Sequence, residues 1–317
     1  MARRLRLEIP GGVYHVTNRG VDRADIVRDD DDRREWFRLF HRVAVRCGWQ
    51  VFAHVLMTNH FHVFLKIPEA NLSSGFHDVT GGYATLFNKR HSRTGTLFQG
   101  RFHAVLVESE GHAWSLSRYV HLNPCRAGLA RKPEDYRWST YRHFMDPQDA
   151  PSWLAWRTVF CEFGGSESAA RIAYRRYVEA GLTEQISNPL ATAFEGVLYG
   201  SETFINGHKH LLEEAEAEIA ERSRATTLTR VLSMVAESFH VPEPTLRQPG
   251  RHGNWARDAA IWLTRQEARI PLNEIAAAFG RITASAVTDT VRRCEARQQQ
   301  HPEYRTLCEF VRRKLYE

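Results

Sequence analysis

The hydrophobic periodicity of this chain predicts an α+β protein, with an antiparallel sheet and its helices in the first part and an all-α region after it. Three observations carry that reading. Between Gly12 and Phe144 the apolar period switches several times between two and the helical value, as a sheet with packed helices requires. From Asp146 onward no segment alternates convincingly, while helix-spaced apolar residues continue almost to the last residue. The composition, 43% hydrophobic and 25% charged over 317 residues, supplies apolar material for about two cores and argues against a disordered chain.

Residues 13–17 alternate as a first strand, turned by Asn18-Arg19-Gly20. Asp29 to Asp32 then place negative charge at the positive end of a helix. Its Trp36, Phe37, Phe40, Val43, Ala44 and Cys47 recur at three and four residues, and Gly48 stops it. Residues 51–57 and 60–67 read as a hairpin about Thr58-Asn59, closed by Pro68. Residues 75–90 have helical spacing, weakened by Gly81-Gly82. Residues 102–107 form a fourth strand, and 111–122 a helix ending near Asn123-Pro124. Strand, helix, hairpin, helix, strand is the ferredoxin-like βαββαβ order, here with an added helix. The expected domains are 1–145, bearing the sheet; 146–225, a mostly helical connector with helices at 169–179 and 211–222; and 226–317, helical and broken at Pro242, Pro244, Gly253, Pro271 and Gly280.

The net charge of +6 and a pI near 9.2 favour a polyanionic partner. Between Asp78 and Glu108 there is no acidic residue, where 37 acids in 317 would place about three. The same window carries Lys89, Arg90, Arg93 and Arg101 among Phe87, Phe98 and Phe102. Cations interleaved with aromatics suit a phosphate backbone and unstacked bases, a solvated basic face being the plainer alternative. Further basic groups lie around Arg251 and Arg257 and at Arg292 and Arg293. No apolar run approaches the ~18 residues of a membrane span, and the first arginines have no apolar core behind them. Five widely spaced cysteines suit a reducing cytosol and form neither a disulfide framework nor a CxxC site. A cytoplasmic protein with no membrane partner is expected.

His60-Phe61-His62 is the sharpest local feature. On a strand, residues i and i+2 face one side, so both imidazoles can reach one metal ion while Phe61 joins the apolar row of Val63 and Leu65. A second such pair, His208 and His210, lies in a helical stretch, where i and i+2 diverge by roughly 200°. Tyr119 and Asn123 are four apart and share a helix face. The amide oxygen of Asn123 is a suitable hard ligand beside two imidazoles. A helix-end tyrosine packed on the core, with Asn123 as a cap, fits the same spacing.

The blocks IPGGVYHVTNRG, MTNHFHVFLKI, FNKRHSRTGTLFQGRFHAVLVE, SRYVHLNPCRAGL and PEDYRWSTYRHF follow one another over about residues 8–144. In that order and spacing they resemble REP-associated tyrosine transposases, which are HUH single-tyrosine enzymes. The resemblance implies a ferredoxin-like palm, the HUH fold, in which His60 and His62 hold a divalent metal, Mg²⁺ or Mn²⁺, with Asn123 completing the site. It implies Tyr119 as the nucleophile, forming a 5′-phosphotyrosine on single-stranded or hairpin DNA of the repetitive extragenic palindrome type. Cutting and strand transfer are the activity so implied, and Arg19, Lys89, Arg90, Arg93 and Arg101 are the expected DNA contacts. Tyr83 is a rival nucleophile, against which the YVHLNP block points to Tyr119. A phenol with pKa near 10 costs about 4 kcal/mol to ionise at pH 7, so the reaction calls for help at the phosphate. No GxxxxGK[ST] loop is present, and none is needed.

The segments TLTRVLSMVAESFHV, ARDAAIWLTRQEARIPLNEIAAAFG and TASAVTDTVRRCEA resemble the helix-turn-helix DNA-binding domain of the replication initiator DnaA. The resemblance implies a first helix at 272–279, a turn at Gly280 and a recognition helix at 283–293, with duplex DNA as the partner. Arg257 matches a DNA-contacting arginine of that domain, and Arg292 and Arg293 lie on the recognition helix. The family's Asp-His-Thr-Thr run is replaced by Ile282-Thr283-Ala284-Ser285, so its sequence specificity does not carry over. The competing readings are a non-catalytic DNA-binding regulator, an RNA-binding ferredoxin-like module and a metal hydrolase using water. Monomer and dimer are both compatible with the sequence.

Overall fold

A computed structural model describes residues 6–108, 113–184, 188–248, 253–268 and 270–315. Arg251 and the expected helix start at Gly111 lie outside these residues. The first elements are β1 (Val13–Arg19), α1 (Asp30–Arg46), β2 (Gln50–Leu56), β3 (His60–Lys66), α2 (Leu72–Arg90), β4 (His103–Val107) and α3 (Ala113–Arg126). Asp29 caps α1 by accepting the Asp32 N–H, and Gly48, at φ +65°, ends it as its sequence position predicts. Helix α2 runs unbroken through Gly81-Gly82, because its buried Phe76, Val79, Tyr83 and Phe87 outweigh the glycine propensity. Helix α3 continues past Asn123-Pro124 to Arg126, one turn beyond the expected end.

The sheet order is β2-β3-β1-β4, antiparallel throughout, as a ferredoxin-like βαββαβ unit requires. A short β5 (Leu198–Tyr199), not expected from the sequence, adds to β4 in parallel. The register sets Arg19 opposite His60, Thr17 opposite His62, and His103 opposite Thr17 on the other side. Strand alternation then divides the two faces. Phe61 packs on Trp36 of α1 and Phe76 of α2, with ring centroids 4.6 and 6.0 Å away. His15, His60 and His62 lie on the opposite face, towards α3.

The expected boundaries at 145 and 225 are not where the chain divides. Its two compact units are residues 1–212 and 213–317. Helices α4 (Tyr141–Met145), α5 (Trp156–Cys161) and α6 (Glu167–Ala180) belong to the first unit. Leu154 pairs with Val51 of the edge strand, and Tyr174 of α6 is buried with its hydroxyl 2.6 Å from Ser117 Oγ and 2.8 Å from His121 Nδ1 on α3. Residues 146–180 therefore close the back of α3 and are not a connector. Helix α7 (Glu202–Ser238) passes straight through 225, since neither proline nor glycine interrupts the chain between Gly207 and Pro242.

In the second unit, α8 (Glu243–Arg247), α9 (Trp255–Glu267), α10 (Leu272–Ala278), α11 (Ala284–Gln300) and α12 (Pro302–Lys314) surround a core that includes Val231, Val235, Ile261, Ile275 and Val287. Gly280 lies at φ +86° between α10 and α11, and Thr283 caps α11 by accepting the Ala286 N–H. Helices α10 and α11 thus flank Gly280, the second running past the expected end at 293 to Gln300.

Candidate active site

Strand β3 presents His60 and His62 on one face with ring centroids 5.0 Å apart and planes nearly perpendicular. Tyr119, projecting from α3, stands perpendicular to the His62 ring with centroids 5.7 Å apart. The tyrosine and the histidine pair, 57 residues apart in sequence, are thus neighbours, which i, i+4 spacing alone could not establish. Helix α3 is held by His121, whose Nδ1 meets Tyr174 and whose Nε2 lies 3.0 Å from Thr140 Oγ1. The nucleophile candidate therefore rides on a helix locked by a buried hydrogen-bond chain.

Each imidazole of the pair has a partner on Nδ1. For His60 it is Asn59 Oδ1 at 2.7 Å, an acceptor, so Nδ1 carries the proton and Nε2 keeps its lone pair. For His62 it is His15 Nε2 at 3.0 Å. In the tautomer that leaves a lone pair on His62 Nε2, Nδ1–H donates to His15. Burial brings His15 down to about 3, and burial with the nearby Arg19 charge brings His60 to about 4. Burial, then His15 and His60, hold His62 well below the ordinary histidine value. All three rings are neutral at pH 7, the state in which imidazole binds a metal.

Asn123 donates from Nδ2 to the Tyr119 carbonyl at 2.8 Å, which leaves Oδ1 as its remaining acceptor. Among the described residues no group of three or more His, Cys, Asp or Glu could hold a metal ion. The two imidazole nitrogens could hold a divalent cation, with the Asn123 amide oxygen as a further candidate donor and positions left open for water and substrate oxygens. Burial raises the Tyr119 hydroxyl above the ordinary tyrosine value, while Arg126, Asn123 and Arg19 oppose that rise.

Two residues here escaped the sequence reading. His15 was legible only as the residue alternating with Thr17 and Arg19 on a strand whose partner was not yet known. Arg126, seven residues after Tyr119, sets its guanidinium 5.2 Å from the centre of the tyrosine ring, and this needs the extra turn of α3. Tyr83 is excluded as a nucleophile: it is 1% exposed, its hydroxyl donates to the Ile26 carbonyl at 2.5 Å, and burial raises its pKa strongly.

The expected DNA contacts divide. Arg19 is exposed at the end of β1, beside the histidine pair. Lys89 is exposed, Arg93 lies 5.7 Å over the Phe87 ring, and Arg101 lines a separate cavity. Arg90 is instead tied to Asp29 and Asp32 at 2.6 Å and to Asp31 at 3.2 Å, so it braces α2 against the start of α1. In the second unit Arg257 is 7% exposed and donates Nη2 to the Phe279 carbonyl at 2.8 Å, closing the end of α10 instead of facing a phosphate. Arg293 is drawn to Asp258 at 3.6 Å, whereas Arg292 is exposed on α11.

Fold and site together define an α+β domain of the ferredoxin-like kind, with a histidine pair on its sheet and a tyrosine laid across it from a helix. Residues 10–123, an interval holding His15, His60, His62, Tyr119 and Asn123, match the family model of IS200-like transposases. A solved REP-associated tyrosine transposase bound to a REP hairpin aligns with 45% of this chain and 84% of its own, at a TM-score of 0.39 and 18% identity. No curated protein matches the chain. Among the described residues no helix is long and apolar enough to cross a membrane.

Proposed function

We propose that this chain cuts and rejoins single-stranded or hairpin DNA, with Tyr119 as the nucleophile and His60, His62 and Asn123 as the holders of a Mg²⁺ or Mn²⁺ ion. The observation that carries the reading is the perpendicular Tyr119–His62 contact, inside the interval matched by the transposase family. The Tyr119 oxygen attacks the scissile phosphorus, a bond forms between them, and the bond to the 3′ oxygen breaks. The phenol proton leaves to water, and the departing oxygen takes one up as a 3′-hydroxyl. The phosphoester is conserved as a 5′-phosphotyrosine, so the same 3′-hydroxyl chemistry reverses the step on another strand. A bound divalent cation would neutralise and orient the scissile phosphate. Arg126 and Arg19 favour the ionised phenol, and α3 holds it in place. Palindromic repeats of the REP type are the proposed natural substrate.

Replacing Tyr119 by Phe removes one oxygen and keeps the ring, the helix and the histidines. Covalent adduct and cleavage should fall by several powers of ten while strand binding stays within a few-fold. Peptide mass mapping of the trapped wild-type adduct should place the nucleotide remnant on the peptide containing Tyr119. Normal cutting by the variant would point to attack by water, and no adduct from the wild type would favour a non-catalytic regulator. The second unit is proposed as a duplex-DNA module, supported by the α10–turn–α11 geometry and the exposed Arg292.

A further inference from the structure

A cavity of about 750 Å³ opens between α2 and the loop 95–102, within the range of roughly 300–1,000 Å³ usual for ligand sites. Arg6 and Arg101 both line it. Arg6 lies 3.9 Å over the Phe102 ring and donates to Ser73 Oγ at 3.0 Å. Burial and then the like charge of Arg101 bring the Arg6 pKa down to about 10, with Glu8 opposing. Guanidiniums beside an aromatic ring suit a phosphate next to a stacked base.

Two other features point to a ligand. Asn88 Oδ1 is buried without a hydrogen-bond partner in the wall of this cavity, while its Nδ2 donates to the Gly95 carbonyl at 2.9 Å. An orphaned acceptor of this kind invites an N–H donor such as the exocyclic amine of a base. Gly81 also lines the cavity, in the middle of α2, where glycine costs about 1 kcal/mol relative to alanine. A Cβ there would meet nothing within 4 Å, so packing within the protein does not demand the glycine. The space above Gly81 is open to a ligand in the cavity.

The cavity is linked to the site described above through β1. Its wall loop is stitched to the end of β1: Gln99 N–H donates to the Arg19 carbonyl at 2.8 Å, and Asn18 Nδ2 to the Gly100 carbonyl at 3.2 Å. Arg19 is the strand partner of His60. We propose that this cavity holds one unpaired nucleotide of the strand processed at Tyr119, with its base against Phe102 and Asn88 beside Gly81 and its phosphate on Arg6 and Arg101. The proposal rests on the strand-processing reading and adds to it a base-reading pocket distinct from the histidine pair.

The test uses the full chain carrying Tyr119→Phe in EDTA, so that binding is read apart from cutting, with labelled single strands from the DNA flanking its gene. An abasic site is walked along the strand. One position should weaken binding by about tenfold, as loss of a stacked base does. That penalty should vanish in Gly81→Leu, which fills the cavity, with no fall in melting temperature. Arg6→Gln with Arg101→Gln should lower the log–log salt slope by about 0.7, the value for the one single-strand phosphate the two share. Arg157→Gln with Arg175→Gln, an equal loss of charge elsewhere, should leave the base-dependent penalty intact. If the parent chain binds strands but shows no abasic-sensitive position, or Gly81→Leu keeps the penalty, the pocket assignment is overturned and the strand-processing reading stands. If the parent chain binds no strand at all, both fall.

Discussion

His15 is the residue through which β1 enters the site. Its Nε2 meets His62 Nδ1, and a ligating histidine depends on such a partner for its tautomer and ring plane. His15→Ala should therefore weaken Mn²⁺ binding by about 10–100-fold even though His15 need not touch the ion. His15→Asn, which restores an acceptor, should recover part of the affinity. Calorimetric titration reads the affinity, and nitrogen shifts of His62 in the metal-free protein read the tautomer. Unchanged affinity and an unchanged tautomer in His15→Ala would reduce His15 to a packing residue. Arg90 and Arg257 teach the converse lesson. Both look like phosphate contacts in sequence, yet one is held by three carboxylates and the other closes a helix end, because an arginine's role is decided by which acceptor lies within reach.

At the scale of elements, the approach of α2 to the chain following α1 depends on one glycine. A Cβ built on Gly75 would fall 2.3 Å from Trp49 Cζ2 and 3.3 Å from Val43 Cγ1. Trp49 cannot retreat easily, since its Nε1 donates to Asn71 Oδ1 at 2.8 Å and its ring stacks on Phe76 with centroids 4.9 Å apart. Two effects oppose each other in Gly75→Ala. Helix propensity gains about 1 kcal/mol, while overpacking costs about 1–3 kcal/mol. The clash is with a fixed ring, so the net change should be destabilising, seen as a lower urea midpoint at unchanged m-value. Gly81→Ala, with open space at its Cβ, should move the midpoint the other way. The same contrast explains why the expected helix persists through Gly81-Gly82: a local propensity of this size yields to a buried face.

For the whole molecule, the informative boundary is the one at Leu212. The first unit needs residues 146–180 because Tyr174 completes the hydrogen bonds of Ser117 and His121 on α3. A fragment of residues 1–145 would leave those buried groups unsatisfied and expose the apolar side of α3. It should fail to give a cooperative melt, whereas residues 1–212 should melt cooperatively and retain strand binding. A cooperative, DNA-binding 1–145 fragment would restore the shorter domain and make 146–212 an accessory. The family match ends at Asn123, so the support of the tyrosine helix comes from chain beyond it.

Sequence by itself determined the βαββαβ order and the placement of His60 and His62 on one face. These follow from local periodicity, and a strand or helix period is written in neighbouring residues. Only the tertiary structure decided that His15 backs His62, that Arg126 reaches Tyr119, that Tyr83 is core and that 146–180 belongs with the sheet. Those facts depend on strand register and helix packing between residues tens of positions apart, and a single sequence carries no direct record of such distances.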